Sequence, residues 1–148
     1  MTDYLKNYKK QTNALINNTD SAESILNEVA EQLYKEWRGD EIYITVNTSQ
    51  EESQGNVTIS LKLASGSIRK QFYYRLIEIE QPMDKYYKVK IRAFQNPPTD
   101  WMIIDDADSL KEAIIEILGD KRITIVREMI KQMGNTIRVW EKEREEEN

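Results

Sequence analysis

Between Asn56 and Phe94 the chain alternates apolar and polar residues through three consecutive segments separated by two turn signals, and this stretch restricts the fold more than any other. In the first segment Val57, Ile59, Leu61 and Leu63 alternate with Thr58, Ser60 and Lys62, the period of a strand with one buried face. Ala64-Ser65-Gly66-Ser67 predicts a tight turn, where Gly66 can take a positive φ. Folding back there sets Leu63 against Ile68, Ile59 against Phe72 and Val57 against Tyr74, so that apolar faces match.

The second segment, Ile68 to Glu80, changes parity partway: Phe72 and Tyr74 share the inner face, and Ile77 and Ile79 continue it only if one residue is added. A slip of one residue would turn every later side chain outward, so a bulge is expected near Arg75 and Leu76. Gln81-Pro82-Met83-Asp84-Lys85 is the next turn, with a proline that fixes φ and lacks a donor. The third segment sends Tyr87, Val89, Ile91 and Ala93 inward. Pairing about Met83 places Ile79 opposite Tyr87, Ile77 opposite Val89, and Glu78 opposite Lys88 on the outer face.

The flanks supply one more strand and the helices. Ile42, Ile44 and Val46 alternate with Tyr43, Thr45 and Asn47, a strand extending the meander at one edge, followed by a polar loop from Thr48 to Gly55. Before it, Ile25, Leu26, Val29, Ala30, Leu33, Tyr34 and Trp37 form a helical stripe, with Asp20 and Glu23 as a capping pair and Gly39 at the end. After Phe94, the run Gln95-Asn96-Pro97-Pro98-Thr99 breaks the pattern. Trp101 to Ile104 is a short buried strand or connector. Ser109 and Glu112 make a capping box for a helix carrying Leu110, Ala113, Ile114, Ile117 and Leu118 up to Gly119. The last helix has a heptad-like seam of Ile123, Val126, Ile130, Met133, Ile137 and Trp140, with Gly134 as a candidate break.

The expected architecture is therefore α+β: a four-stranded antiparallel meander packed on one face by helices as a two-layer sandwich, with helical N- and C-terminal segments. Residues 1–148 form a single domain, with 1–19 as a looser leader, in which Tyr4, Leu5, Tyr8, Thr12, Leu15 and Ile16 recur at helical spacing, and 141–148 as a charged tail.

Composition narrows function mainly by exclusion. The chain contains neither cysteine nor histidine, which removes disulfides, thiolate or serine-histidine nucleophiles and the common zinc sites. An enzyme would have to use carboxylates, lysine, tyrosine or an oxygen-bound hard metal, so the balance leans away from catalysis. No glycine pattern supports a phosphate loop, and no cofactor is expected. The longest apolar run, Trp101 to Ile104, is far too short to span a bilayer, and Met1 to Lys6 lacks the apolar core of a signal peptide. A cytoplasmic protein without membrane contact is the expectation.

Charge is segregated. Residues 60 to 94 carry eight basic and three acidic residues, whereas residues 1 to 59 carry five and ten, and residues 100 to 148 eight and thirteen. The outer sheet face thus collects Lys62, Tyr73, Arg75, Tyr86, Lys88, Lys90, Arg92 and Phe94, with Tyr43 and Gln71 nearby. Cations beside rings suit an acidic protein surface, or phosphates and stacked bases of single-stranded nucleic acid. Overall acidity, a net charge of −5, places the protein partner first and nucleic acid second. The alternative to both is an ordinary solvated sheet face.

Asp105, Asp106 and Asp108 could hold Mg²⁺ or Mn²⁺ in a hydrolase, but they lack the EF-hand spacing and precede a helix, where carboxylates cap. Trp37, Trp101 and Trp140 lie in apolar patterns and are expected as core plugs. The leading expectation is a small non-catalytic binding or adaptor module that uses the outer face, with self-association through the C-terminal helix as a further option.

Overall fold

The computed structural model describes residues 2–7, 9–10, 21–51, 55–65 and 73–133. Five strands form one antiparallel sheet in chain order: β1 (Ile42–Glu51), β2 (Asn56–Ser65), β3 (Tyr73–Pro82), β4 (Val89–Ala93) and β5 (Met102–Ile104). Helices α1 (Ala22–Glu36), α2 (Ala107–Leu118) and α3 (residues 122–133) each bury one apolar side in the same cluster as the sheet's inner face. The fold is α+β as expected, with one strand more than the meander read from the sequence.

The change of parity in the second segment falls at Leu76. Leu61 faces Ile77 and Lys62 faces Arg75, leaving Leu76 as the extra residue of a bulge. Leu76 and Ile77 both join the core and are fully buried. Each such side chain contributes about 1.5–3 kcal/mol by leaving water.

Registers differ from the expectation by even slips once the bulge is counted. Leu63 faces Tyr74 rather than Ile68, a slip of six, and beyond the bulge Ile59 faces Ile79 rather than Phe72, the same slip plus the inserted residue. Ile79 faces Ile91 and Ile77 faces Ala93, with residues 83–88 as the connection. An even slip leaves every side chain on its own face, so hydrophobic alternation cannot distinguish these registers. The observed β3–β4 register places Glu78 opposite Arg92 and Glu80 opposite Lys90, two opposite-charge pairs. Glu78 therefore does not meet Lys88. Gly66 and Phe72, assigned to the first turn and the second segment, lie outside the described residues.

β1 is longer than its apolar alternation. It pairs with β2 from Ile42↔Ser65 to Glu51↔Asn56, so Thr48 to Glu51 are strand rather than loop. At the other edge β5 pairs with β4 through Val89↔Ile104, but only Ile104 is buried; Met102 and Ile103 are exposed. Trp101, expected in the core, is 37% exposed, whereas Trp37 is buried as expected. Trp140 is outside the described residues.

Neither helix starts at the cap named for it: the α1 cap lies one residue later and the α2 cap three residues earlier. Ser21 caps α1, its hydroxyl accepting from the Ser24 amide at 3.2 Å, and Asp20 lies outside the described residues. Asp106 caps α2, its Oδ1 accepting from the Ser109 amide at 2.7 Å, in place of the Ser109–Glu112 box. Residues 6, 7, 9 and 10 of the leader are helical; Tyr8, Thr12, Leu15 and Ile16 are not described. In α3, Val126 and Ile130 of the heptad-like seam are buried in the chain's own core. Gly134, Ile137 and the tail from Glu141 are outside the described residues.

The α1–β1 corner is fastened to α3. Gly39 takes a φ of +97°, which a glycine adopts without penalty. Asp40 follows and accepts from Arg127 Nε at 2.6 Å, with Lys131 Nζ 3.7 Å from its other oxygen. The Arg127 guanidinium also lies 5.5 Å from the Trp37 ring centroid.

Candidate protein-docking face

The outer face is built by the residues that alternate with the core: Thr45 and Tyr43 on β1, Lys62 and Ala64 on β2, Tyr73, Arg75, Glu78 and Glu80 on β3, Lys90 and Arg92 on β4, and Ile103 on β5. Its centre is shaded, with Lys62, Arg75, Glu78 and Arg92 half-buried, and its margins are open.

Glu78 organises the centre. Its Oε2 accepts from Arg75 Nη1 at 2.6 Å and from Arg92 Nε and Nη2 at 3.2 and 3.1 Å. Arg92 is held on a second side by Trp101, whose ring centroid lies 4.3 Å from the guanidinium carbon. The arrangement follows from local structure: the bulge at Leu76 alters the spacing between Arg75 and Glu78, and the β3–β4 register brings Arg92 directly opposite Glu78. Arg75 is further fixed through its amide, which donates to Gln95 Oε1 at 2.9 Å. Both arginines are therefore committed to holding β3, β4 and the following turn together.

The lysines differ. Lys88 and Lys90 are exposed and Lys62 is half-buried, and among the described residues none of the three makes an ion pair. Lys90 stands opposite Glu80, but the Glu80 carboxylate accepts from Asn56 Nδ2 at 3.0 Å.

Aromatic residues fall into three positions. Tyr43 and Tyr73 are both exposed and flank Ala64 on neighbouring strands, about 10 Å apart given the strand spacing. Tyr86 is exposed but belongs to the β3–β4 turn, where it lines a shallow cleft of about 310 Å³ with Gln81, Met83, Asp84 and Lys85. Phe94 does not belong to the face. It is only 6% exposed and part of the core cluster, with the Arg122 guanidinium 4.1 Å from its ring centroid. The cause is a backbone φ of +67° at Phe94, which ends the alternation and turns the ring under the sheet. Its amide donates to the Leu76 carbonyl at 2.8 Å, so the bulge and the turn are joined. Gln71 is outside the described residues.

The acidic cluster divides. Asp106 is the α2 cap, and the hydrogen bonds from the Ser109 amide and hydroxyl hold its carboxyl below the usual value of 3.8. Asp105 and Asp108 are exposed. Among the described residues no group of three or more carboxylates is arranged to hold a metal ion, so Asp105, Asp106 and Asp108 do not come together as a site. No described helix is long and apolar enough to cross a membrane.

Glu78 and Trp101 are the residues that sequence reasoning missed here. The signal was present: a carboxylate three residues after Arg75, across the expected bulge, next to a strand rich in cations. Comparison of the chain with protein-family models, with curated proteins and with solved structures gives no match.

Proposed function

We propose that this chain is a small non-catalytic binding module, acting in the cytoplasm as an adaptor, whose outer sheet face docks an acidic protein surface. The observation that carries this reading is that Lys90, on β4 with the engaged Arg92, and Lys88, in the connection just before β4, are exposed and make no ion pair among the described residues. Tyr43 and Tyr73 add amphipathic contact area at the same face. Electrostatic attraction would steer an acidic partner to the lysines, and the rings would supply area once water is displaced.

The test is capture from native extract by the wild-type chain and by a Lys62→Glu/Lys88→Glu/Lys90→Glu variant. Loss of captured acidic proteins at unchanged thermal stability supports the reading; equal capture rejects this face. Single-stranded nucleic acid is the second reading, favoured by the same pairing of cations and exposed rings. It requires binding of a single-stranded oligonucleotide that weakens steeply with salt. Absence of a fluorescence-anisotropy change at low ionic strength discards it.

A further inference from the structure

The two edges of the sheet are guarded unequally. β5 is three residues long, follows Pro97 and Pro98, and runs into Asp105 and Asp106, all features that discourage strand addition. β1 is ten residues long, and its outer edge has no strand partner among the described residues. From Ile42 to Gln50 it contains no charge, no proline and no glycine, in a chain of which 32% of residues are charged. Its ladder to β2 shows no register shift that would bend the edge away. Such an edge presents every second backbone N–H and C=O outward over about 30 Å of strand.

The occupant that this strand fits is itself. We infer that β1 pairs antiparallel with β1 of a second copy, about a two-fold axis perpendicular to the sheet at Thr45. In that register Ile44 of each copy faces the partner's Val46 on the inner side, Thr45 faces the partner's Thr45 on the outer side, and Tyr43 faces the partner's Asn47. Apolar meets apolar, and threonine meets threonine, both favourable cross-strand pairs. Ile44 and Val46 are only half-buried within one chain, and Tyr34 on the neighbouring α1 is 59% exposed, so the edge retains apolar surface for a partner to cover. A charged peptide finds no counter-charge between Ile42 and Gln50. A dyad in this orientation keeps the helices of both copies on one side and joins the two outer faces into a ten-stranded sheet, closed at two copies because each has one open edge.

This interface is separate from the docking reading, because its readout is the mass of the chain alone. Light scattering on the full chain gives twice 17.5 kDa at tens of micromolar and shifts toward 17.5 kDa on dilution. Thr45→Glu is the discriminating variant. Within one chain Thr45 faces Lys62, so the new carboxylate gains a partner and the fold is retained, whereas across the dyad two carboxylates meet. The variant is therefore monomeric with an unchanged near-ultraviolet circular dichroism spectrum, while Ile103→Glu at the opposite edge leaves the dimer intact. Hydrogen exchange in the wild type gives a second readout: alternate amides between Tyr43 and Asn47 gain protection at high concentration only. A 17.5 kDa mass at every concentration, a dimer that survives Thr45→Glu, dissociation by Ile103→Glu, or exchange of β1 amides independent of concentration would each overturn the inference.

Discussion

Arg75 and Arg92 share a sheet face with Lys62 and Lys90, with Lys88 in the connection just before β4, yet the two kinds of cation are engaged differently. The arginines converge on one carboxylate, Glu78, and one of them stacks on Trp101, so their charges and donors are consumed in joining β3 to β4. The lysines make no such ties among the described residues. The planar guanidinium can satisfy a carboxylate and a ring at once, and the ammonium, a strongly hydrated point charge on a flexible stem, gains little from the same fixation. A patch that looks uniformly basic in sequence is thus a structural clamp with lysines at its margin that make no ion pair among the described residues.

The largest effect that sharpens this comparison comes from the residue that sequence grouped with the cations and the structure removes from them. Phe94→Ala should cost about 3–4 kcal/mol in urea unfolding, the range for a buried phenylalanine, and should also strand Arg122 without its ring. A loss under about 1 kcal/mol would return Phe94 to the surface. Glu78→Gln comes next. It withdraws the charge on which both arginines converge and should cost about 1–2 kcal/mol, less than a fully buried pair because both arginines are partly exposed. Lys88→Glu with Lys90→Glu should change stability by under about 0.5 kcal/mol, since both side chains are exposed and make no ion pair among the described residues.

The smallest effect is a pH dependence outside the patch. The Asp106 carboxyl is held below 3.8 in the folded chain, so its stabilising charge is fully present above 3.8 and is lost as pH falls through the lowered folded value. Asp106→Asn keeps a capping side chain without the charge. Its melting temperature should lie slightly below that of the wild type at neutral pH, and the two should converge under strong acid. A gap that persists there would assign the difference to something other than ionisation.

Much of this fold was legible in the sequence, and the parts that were not share a physical reason. Alternation reports the face of a residue and nothing finer. It located the bulge at Leu76, because a one-residue insertion moves side chains between faces, and it missed the six-residue slip that sets Leu63 against Tyr74, because an even slip moves none. Phe94 was misplaced for the same reason: its parity is outward, and only the left-handed backbone at that position turns it inward. The helix starts were ambiguous between two overlapping cap patterns, Asp106 with Ser109 and Ser109 with Glu112, which differ in where the first turn begins. In the candidate site the residue types and the face were readable. The division of the cations was not, since it depends on the β3–β4 register that brings Glu78 opposite Arg92.

The division is tested most directly by urea unfolding of the wild type, Glu78→Gln and Lys88→Glu/Lys90→Glu side by side at one ionic strength. The structure predicts a midpoint lowered by the single carboxylate substitution and unmoved by the double charge reversal. A lowered midpoint for the lysine variant with none for Glu78→Gln would contradict the assignment of the arginines, and not the lysines, to holding the fold.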